Sequence, residues 1–249
     1  MGRIPLVRTV PRDLLIRLAA GVPRLLDAQP LARYLPRISA TARSALPARF
    51  EPCLPMTAPR PPSGPLWLHE IKHDGFRILA RKVNERVKLY NRHGHDLTKR
   101  FPLVADAMAG LSAPSCVIDA EAVAFDDDGI PSFELLAWKR RDASVFLYAF
   151  DLIELAGDDL RGEPLERRKL RLRRLLEGAG PGLVVNQWVE GGDVDGEAVF
   201  QHACSFGLEG IVSKRIGSRY NSGRSPDWLK FKNPESPAVR REAEKEWGG

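Results

Sequence analysis

The stretch from Leu68 to Leu79 constrains this chain more than any other. It reads Leu-His-Glu-Ile-Lys-His-Asp-Gly-Phe-Arg-Ile-Leu, in which an apolar run, the turn signal Asp74-Gly75 and a second apolar run follow one another. Asp-Gly between hydrophobic segments favours a tight turn, because both residues tolerate positive φ. The pattern therefore predicts a strand that ends at Lys72, with the lysine amine held where the strand gives way to a bend.

From residue 66 onward, short β-type segments are interspersed with single helices. Residues 78–82 and 86–91 predict a hairpin around Asn84-Glu85, and residues 101–108 carry apolar residues at helical spacing before Gly110. Further strands are predicted at 116–125, 145–155, 183–189, 210–215 and 228–232, and further helices at 164–176 and 194–206. Adjacent short strands favour antiparallel pairing. The predicted fold class is therefore α+β, with two antiparallel β-sheets and flanking helices.

Two of these segments also predict which side chains share a face. Side chains alternate along a strand, which places Phe146, Tyr148, Phe150 and Leu152 on one face of strand 145–155. Segment 164–176 predicts a basic amphipathic helix with a leucine stripe. Its arginines either contact phosphates or form a solvated face, and they are Arg167, Arg168, Arg171, Arg173 and Arg174.

Residues 1–47 are predicted to form an Arg-rich N-terminal extension. Residues 1–50 hold nine arginines, no lysine and two aspartates, a balance of +7, whereas the whole chain carries +6. Prolines at 23, 30 and 36 divide the segment into short amphipathic pieces. Three interpretations stay open: an arm that grips nucleic acid, a loosely packed extension without a specific role, and an organelle transit peptide.

Composition limits the classes of protein to be considered. No run approaches the roughly 18 apolar residues of a membrane helix, so no membrane-spanning segment is predicted. The three cysteines match no metal or redox spacing and are expected to be packed, reduced thiols in a reducing cytoplasm. Prolines between residues 52 and 65 indicate an extended entry to the main domain.

Charged residues far apart in the sequence suit the transfer of a nucleotide phosphate to an amine. A free lysine titrates near ~10.4, so a nucleophilic amine at neutral pH costs about 4 kcal/mol unless its surroundings lower that pKa. Nearby cations lower it, and Lys230 and Lys232 alternate with apolar residues on one side of a strand. Glu121 and Glu209 are hard oxygen ligands for a divalent metal.

Six short elements in order resemble the signature of the covalent nucleotidyltransferases, and most closely the adenylation domain of ATP-dependent DNA ligases of the bacterial end-joining type. The elements are Lys72-His73-Asp74-Gly75-Phe76-Arg77, Asn91-Arg92-His93-Gly94, Asp119-Ala120-Glu121, Phe150-Asp151, Leu208-Glu209-Gly210-Ile211-Val212-Ser213-Lys214 and Trp228-Leu229-Lys230-Phe231-Lys232. Each element alone is a weak signal, but six in family order are specific. One departs from the family pattern, because Ala120 stands where the family usually has Gly.

The resemblance implies a covalent nucleotidyltransferase (ATP-grasp-like) adenylation domain over residues 48–234, followed by a charged tail at 235–249. Its implied activity is that of an ATP-dependent DNA ligase, or its adenylating core, in DNA repair. Lys72 would attack the α-phosphorus of ATP to form lysyl-AMP. The AMP would then pass to the 5′-phosphate of nicked DNA, and the 3′-hydroxyl would displace it to seal the strand.

The resemblance also implies binding roles for the matching residues, with ATP and Mg²⁺ or Mn²⁺ as cofactors. Glu70 would accept a hydrogen bond from the adenine amino group, and Phe150 would stack on the base. The remaining implied contacts are Arg77 and Arg92 to ribose or phosphate oxygens, Glu121 to a ribose hydroxyl or the metal, Glu209 to the metal, Lys230 and Lys232 to the phosphates, and Lys214, Arg81 and Arg219 to nucleotide or nucleic acid.

Complete ligases carry an oligonucleotide-binding (OB) barrel after this domain, whereas 17 residues follow Lys232 here. The expectation is therefore a fold without a C-terminal OB barrel. Expected partners are nicked or broken double-stranded DNA and, further, end-joining proteins or a separate OB-fold polypeptide, in the bacterial cytoplasm near the nucleoid. Alternative functions are a non-catalytic nick- or end-binding module, an RNA ligase or capping-type nucleotidyltransferase, and an unrelated basic protein.

Overall fold

The computed structural model describes residues 51–127, 131–139, 142–192 and 194–241. The predicted Arg-rich extension at 1–47 and residues 242–249 of the predicted tail lie outside the described residues. Across the ranges that are described, no helix combines the length and the apolar character needed to cross a membrane.

Two β-sheets form the frame of the fold. Sheet A runs in the order β1-β11-β10-β2-β9 and consists of β1 (Cys53–Thr57), β2 (Trp67–Lys72), β9 (Trp188–Glu190), β10 (Gly210–Arg215) and β11 (Gly223–Lys232). Sheet B runs β4-β3-β5-β6-β7 and consists of β3 (Phe76–Val83), β4 (Arg86–Asn91), β5 (Ser115–Val123), β6 (Phe146–Leu155) and β7 (Asp158–Asp159), with β8 (Leu183–Val185) beside β6. Pairing is antiparallel except for β1 with β11 and β6 with β8.

Helices are few and flank the sheets. They are α1 (Pro102–Ala109), α2 (Phe133–Ala137), α3 (Leu165–Leu175) and α4 (Gly196–Ser205), with a short 3-10 turn at Asp142–Ser144. The predicted α+β class with two antiparallel-rich sheets is confirmed, and no closed barrel occurs among the described strands. The predicted hairpin is also confirmed, with β3 and β4 paired up to Val83 and Arg86 around Asn84 at a φ of 54°.

Apolar side chains on the outer faces of the sheets make two separate cores. The larger core packs α1 and α3 against sheet B, and Phe101, Met108, Ile118 and Leu172 are fully buried in it. A smaller core packs α4 against sheet A through Val199, Ala203, Ile211 and Phe231. Each helix thus buries an apolar stripe on one sheet, which leaves the inner faces of the two sheets for other side chains.

The predicted face pattern of β6 is wrong at Leu152. The pairing of β5 with β6 shifts register twice, so that Asp119 lies opposite Asp151 but Ala120 lies opposite Ala149, with Phe150 as an extra residue between them. A β-bulge of this kind reverses the alternation beyond it. Leu152 consequently joins the larger outer core with Ala149, whereas Phe150 packs in an inner cluster.

The predicted strand at 183–189 is two strands in different sheets. Residues 183–185 form β8 in sheet B, and residues 188–190 form β9 in sheet A. Asn186 and Gln187 make the crossover between them. A continuous apolar run cannot reveal such a crossover, because both short strands carry the same β-type residues.

Candidate active site

A cavity of about 660 Å³ lies on the inner faces of the two sheets, within the usual range of small-molecule sites. Lys72, the last residue of β2, lines it as the sequence predicts. Gly75 in the following bend packs so closely on β5 that an added Cβ would lie 2.1 Å from the carbonyl oxygen of Ala122. The bend that presents Lys72 therefore requires glycine at this position.

The Lys72 amine is paired with a carboxylate from sheet A. Its Nζ donates to Oε1 of Glu209, whose side chain is only 4% exposed. Glu209 directly precedes β10, and Gly210 follows it at a φ of 142°, where an added Cβ would meet the carbonyl of Phe231. Burial raises the pKa of the Glu209 carboxyl, and the Lys72 ammonium opposes this shift without cancelling it.

A second carboxylate, the half-buried Glu121, faces the cavity from sheet B. Burial raises its pKa to about 8, against the charges of Lys72 and Arg77, and Glu209 adds to the increase. The two acids therefore interact across the cavity and compete for the same positive charge. Ala120, the residue that departs from the family pattern, points to the fully buried outer side of β5, where its methyl group adds to the core.

Arg77 lines the cavity and is also bonded to a buried carboxylate. It makes a bidentate pair with Asp119, with Nε 2.9 Å from Oδ1 and Nη2 2.6 Å from Oδ2. The Tyr220 hydroxyl also donates to Asp119 at 2.6 Å and accepts from the backbone N–H of Cys53 at 3.0 Å. Burial lowers and Asp119 raises the pKa of the Arg77 guanidinium, with a net upward shift.

Glu70 is the centre of a buried charge cluster. Its Oε1 lies 2.7 Å from Nζ of Lys169 and 3.1 Å from Nζ of Lys214. Its Oε2 accepts from Asn186 at 3.2 Å and from Lys214 at 3.1 Å. Both hydrogen bonds go to Oε2, whereas Oε1 is buried beside two ammonium groups without accepting a hydrogen bond from a described residue. A hydrogen bond from adenine to Glu70 stays a prediction.

Phe150 lies in the inner cluster among aromatic and cationic groups. Its ring is 6.1 Å from that of Trp228, edge to face, and Nζ of Lys214 lies 4.5 Å from its centroid. The Arg77 guanidinium is 5.3 Å from the same centroid. The predicted stacking of a base on Phe150 stays a prediction.

Other predicted residues divide between the cavity and the surface. Arg92, Lys230 and Lys232 line the cavity together with Lys72 and both acids, and their contacts to ribose or phosphate oxygens stay predictions. Arg81 and Arg219 lie outside its lining. The six sequence elements therefore converge on one site, although they span some 160 residues of chain.

Sequence reasoning missed two buried cations on α3. Arg168 and Lys169 are fully buried, and Arg168 makes a bidentate pair with Asp151 at 2.8 and 2.9 Å. Arg168 and Lys169 stand three and four positions after Leu165, and four and three positions before Leu172. That spacing places them on the apolar stripe of the helix. The helical period was thus a signal that separated them from the solvated arginines.

The segment after β11 also reaches the site. Residues 237–241 are helical, and Ala238 and Arg241 line the cavity. Arg241 donates to Asp74, in the bend that follows Lys72, and to Glu134 of α2 at 3.3 Å. Its guanidinium lies 4.9 Å from the Phe133 centroid. Sequence reasoning assigned this segment to a charged tail and gave it no contact with the site.

Comparison with known proteins identifies the family. Residues 58–232 match the family described as the ATP dependent DNA ligase domain. The chain belongs to this family. It is 38% identical over 210 residues to the multifunctional non-homologous end joining protein LigD of Pseudomonas aeruginosa, which covers 82% of this chain and 24% of that protein. It is 33% identical over 202 residues to a DNA ligase of Pyrobaculum calidifontis, which covers 73% of this chain and 35% of that ligase.

Solved structures of ATP-dependent DNA ligases give the same result. The ligase domain of LigD from M. tuberculosis superposes with a TM-score of 0.65 at 33% identity, over 74% of this chain and 60% of that one. A mycobacterial DNA ligase D complexed with ATP and MES gives 0.64 at 32% identity, with the same coverage. The chain spans about a quarter of the length of the LigD relatives that it matches.

Proposed function

We propose that this chain is the adenylating core of an ATP-dependent DNA ligase, with Lys72 as the nucleophile. The observation that carries the proposal is the position of Lys72 at the end of β2. Its amine is paired with Glu209 in a cavity that is also lined by Glu121, Lys230 and Lys232. A nucleophilic amine beside acids and further cations suits attack on a phosphate.

In the proposed first step, Nζ of Lys72 forms a bond to the α-phosphorus of ATP and the bond to pyrophosphate breaks. The Lys72 ammonium gives up two protons to solvent, one before attack and one as the P–N bond forms, and the product is a lysyl-AMP phosphoramidate. Lys230 and Lys232 offset the charge that builds on the departing pyrophosphate. Phe150 stacks on the base, Glu70 reads its amino group, and Arg77 and Arg92 orient ribose or phosphate oxygens.

A divalent cation fits the acids of this site. No group of three or more metal-binding side chains is present among the described residues, but Glu121 and Glu209 face the same cavity. Mg²⁺ is usually held by one or two carboxylates together with substrate phosphates. When bound, Mg²⁺ or Mn²⁺ supplies positive charge to the triphosphate. Glu209 would hold it, with Glu121 on the metal or on a ribose hydroxyl.

In the proposed second and third steps, AMP passes from Lys72 to the 5′-phosphate at a nick, and the 3′-hydroxyl displaces AMP. The partner is nicked or broken double-stranded DNA in the bacterial cytoplasm, near the nucleoid. The relatives named for non-homologous end joining support a role in repair of broken ends, with end-joining proteins or an OB-fold polypeptide as further partners.

The test is covalent labelling with ATP that carries a radioactive α-phosphate, in Mg²⁺ or Mn²⁺. Wild type is expected to acquire acid-labile label, and Lys72→Ala is expected to acquire none. Lys88→Ala is the matched control, because Lys88 is exposed on β4 and pairs with the exposed carboxylate of Asp96. Absence of label from wild type, or equal label on Lys72→Ala, contradicts the proposal.

Two parallel reactions separate the alternatives. Labelling by GTP instead of ATP would favour a capping-type nucleotidyltransferase. Sealing of a nicked DNA duplex, but not of a nicked RNA duplex, is expected of a DNA ligase core. Label without sealing would identify an adenylation module that depends on a partner for the later steps.

A further inference from the structure

Asn186 lies where the chain crosses from sheet B to sheet A, and it is bonded to both sheets. Its backbone N–H donates to the carbonyl of Ala149 on β6 at 2.7 Å. Its side-chain Nδ2 donates to the carbonyl of Ile71 and to Oε2 of Glu70 on β2, both at 3.2 Å. Asn186 is only 4% exposed. One buried residue therefore links β6 through its backbone and β2 through its side chain, beside the last residues of β2 before Lys72.

The same contacts fix the orientation of the Asn186 amide. Glu70 and the Ile71 carbonyl accept hydrogen bonds only, so the atom facing them is the NH₂ group and the other is the carbonyl Oδ1. Nε2 of His73 lies 3.0 Å from that oxygen. His73 must therefore donate, which sets its neutral form as the Nε2–H tautomer. Burial agrees with a neutral ring, because it lowers the pKa of His73 to about 4.

His73 is the residue that follows Lys72, and it is held on two sides. Its ring lies 4.1 Å from the ring of Tyr148 on β6, centroid to centroid, and its Nε2 is bonded to Asn186. Both restraints act on the bend one residue from the amine. The Lys72 side chain is only partly buried, so packing alone does not fix the position of its amine. The position of the backbone at this bend therefore limits how far the amine reaches.

We propose that Asn186 is a positioning residue for the nucleophile. Through its hydrogen bond to His73, it fixes the position of the bend after Lys72 relative to both sheets. The proposal rests on the role of Lys72 proposed above. It assigns a task to a residue outside the six sequence elements, at the crossover that the sequence did not reveal. A displacement of about 1 Å at a reacting atom costs up to ~100-fold in rate, so loss of this tether is expected to slow labelling at saturating ATP.

A double-mutant cycle tests the coupling. Asn186→Ala and His73→Ala are each expected to lower the labelling rate at saturating ATP about tenfold or more. The double variant is expected to be no slower than the slower single variant, because both changes remove the same link. Gln187→Ala is the matched control, since Gln187 is the exposed neighbour in the same crossover. Effects that multiply in the double variant, or full activity of Asn186→Ala, overturn the proposal.

A conservative replacement separates positioning from simple loss of packing. His73→Gln keeps a side-chain NH₂ that donates to Asn186, and it is expected to retain most of the rate that His73→Ala loses. In the Asn186→Ala background this advantage is expected to vanish. Should Asn186→Ala fail to fold, the comparison of His73→Gln with His73→Ala carries the test, and equal rates overturn the proposal.

A measurement that does not depend on catalysis distinguishes failure of this inference from failure of the proposed function. The ring nitrogens of His73, observed by ¹⁵N NMR, are expected to show the neutral Nε2–H tautomer in wild type at pH 7 and to change in Asn186→Ala. If wild type acquires no label but the nitrogens behave in this way, the proposed activity fails and the tether stands. Nitrogen shifts that are the same in both proteins overturn the tether itself.

Discussion

The two faces of β5 show how this domain separates stability from chemistry. On the outer face, Cys116, Ile118, Ala120 and Ala122 are all fully buried in an apolar core. On the inner face, Asp119 and Glu121 stand between apolar residues at either end of the strand. One strand thus contributes apolar area to the core on one side and buried charge to the cavity on the other.

The difference teaches that the two faces are stabilised by different rules. Outer residues contribute according to the apolar area that they bury, and their neighbours are interchangeable hydrophobic groups. Charged side chains on the inner face need an oppositely charged partner, because a buried charge without one costs several kcal/mol. Arg77 with Asp119 and Arg168 with Asp151 follow this second rule.

The largest predicted effect comes from breaking one inner pair. Arg168→Met leaves the Asp151 carboxylate fully buried without its guanidinium, and it is expected to lower the free energy of unfolding by about 3–5 kcal/mol. Urea denaturation measures this. Replacing both partners, as Arg168→Met with Asp151→Leu, is expected to recover much of the loss, because no uncompensated charge remains.

Arg167→Met is the matched control for this prediction, since the Arg167 side chain is 39% exposed on α3 and makes a long contact of 3.7 Å to Glu163. Its effect is expected to stay within about 0.5 kcal/mol. A loss for Arg168→Met as small as that of the control would show that the inner face does not depend on pairing.

A second prediction uses the pKa of Glu121, which burial raises from an ordinary 4.5 to about 8. The folded state then binds more protons than the unfolded state between these values, so this contribution to stability is present at low pH and is lost as pH rises towards 8. Between pH 5 and pH 8 the loss is on the order of 3 kcal/mol. In Glu121→Gln the side chain does not ionise, so that variant is expected not to show this loss of stability.

The measurement is the unfolding free energy of wild type minus that of Glu121→Gln, at several pH values. The contributions of other titrating groups cancel in this difference. That difference is expected to fall from pH 5 to pH 8. Glu85→Gln is the control, because Glu85 is exposed in the turn of the hairpin, and its difference is expected to stay flat. A flat difference for Glu121→Gln would mean that the carboxyl is ionised throughout.

The sequence predicted the parts of this site that are encoded locally. A bend after Lys72 was predicted from Asp74-Gly75, but neither residue takes a positive φ, and Gly75 is required by its close approach to Ala122. The convergence of Glu121, Glu209 and Lys230 followed from a resemblance that covers most of the domain. The leucine stripe of α3 was predictable because the helical period decides it, whereas the outer face of β6 was not, because a bulge reverses its alternation.

The rest depended on contacts that the sequence does not encode locally. The bulge at Phe150 arises from pairing between two strands, and the crossover at Asn186 arises from a change of sheet within one apolar run. The pair of Arg168 with Asp151 joins residues 17 positions apart. Here the helical period marked Arg168 as facing inward, but the usual rule that arginine faces solvent favoured the wrong interpretation.

The smallest predicted effect is that of an ion pair at the mouth of the cavity. This pair is partly exposed, so its contribution to stability is expected to lie between those of buried pairs and of solvated charges. Arg241 pairs with Asp74 and Glu134, but its side chain is 26% exposed. Arg241→Ala is expected to lower the free energy of unfolding by about 1 kcal/mol or less. Amide hydrogen exchange of the bend at 73–75 is expected to accelerate, because the contact to Asp74 restrains that bend.

Arg240→Ala provides the matched control, because the neighbouring Arg240 pairs with Glu235 and both side chains are well exposed. Exchange in the bend at 73–75 is expected to be unchanged in that variant. If Arg241→Ala were instead to cost as much as Arg168→Met, the ion pair at the mouth would behave like a fully buried one. Pairing, rather than exposure, would then decide how much a charged side chain contributes to the free energy of unfolding in this domain. The contrast between inner pairs and solvated residues would not hold.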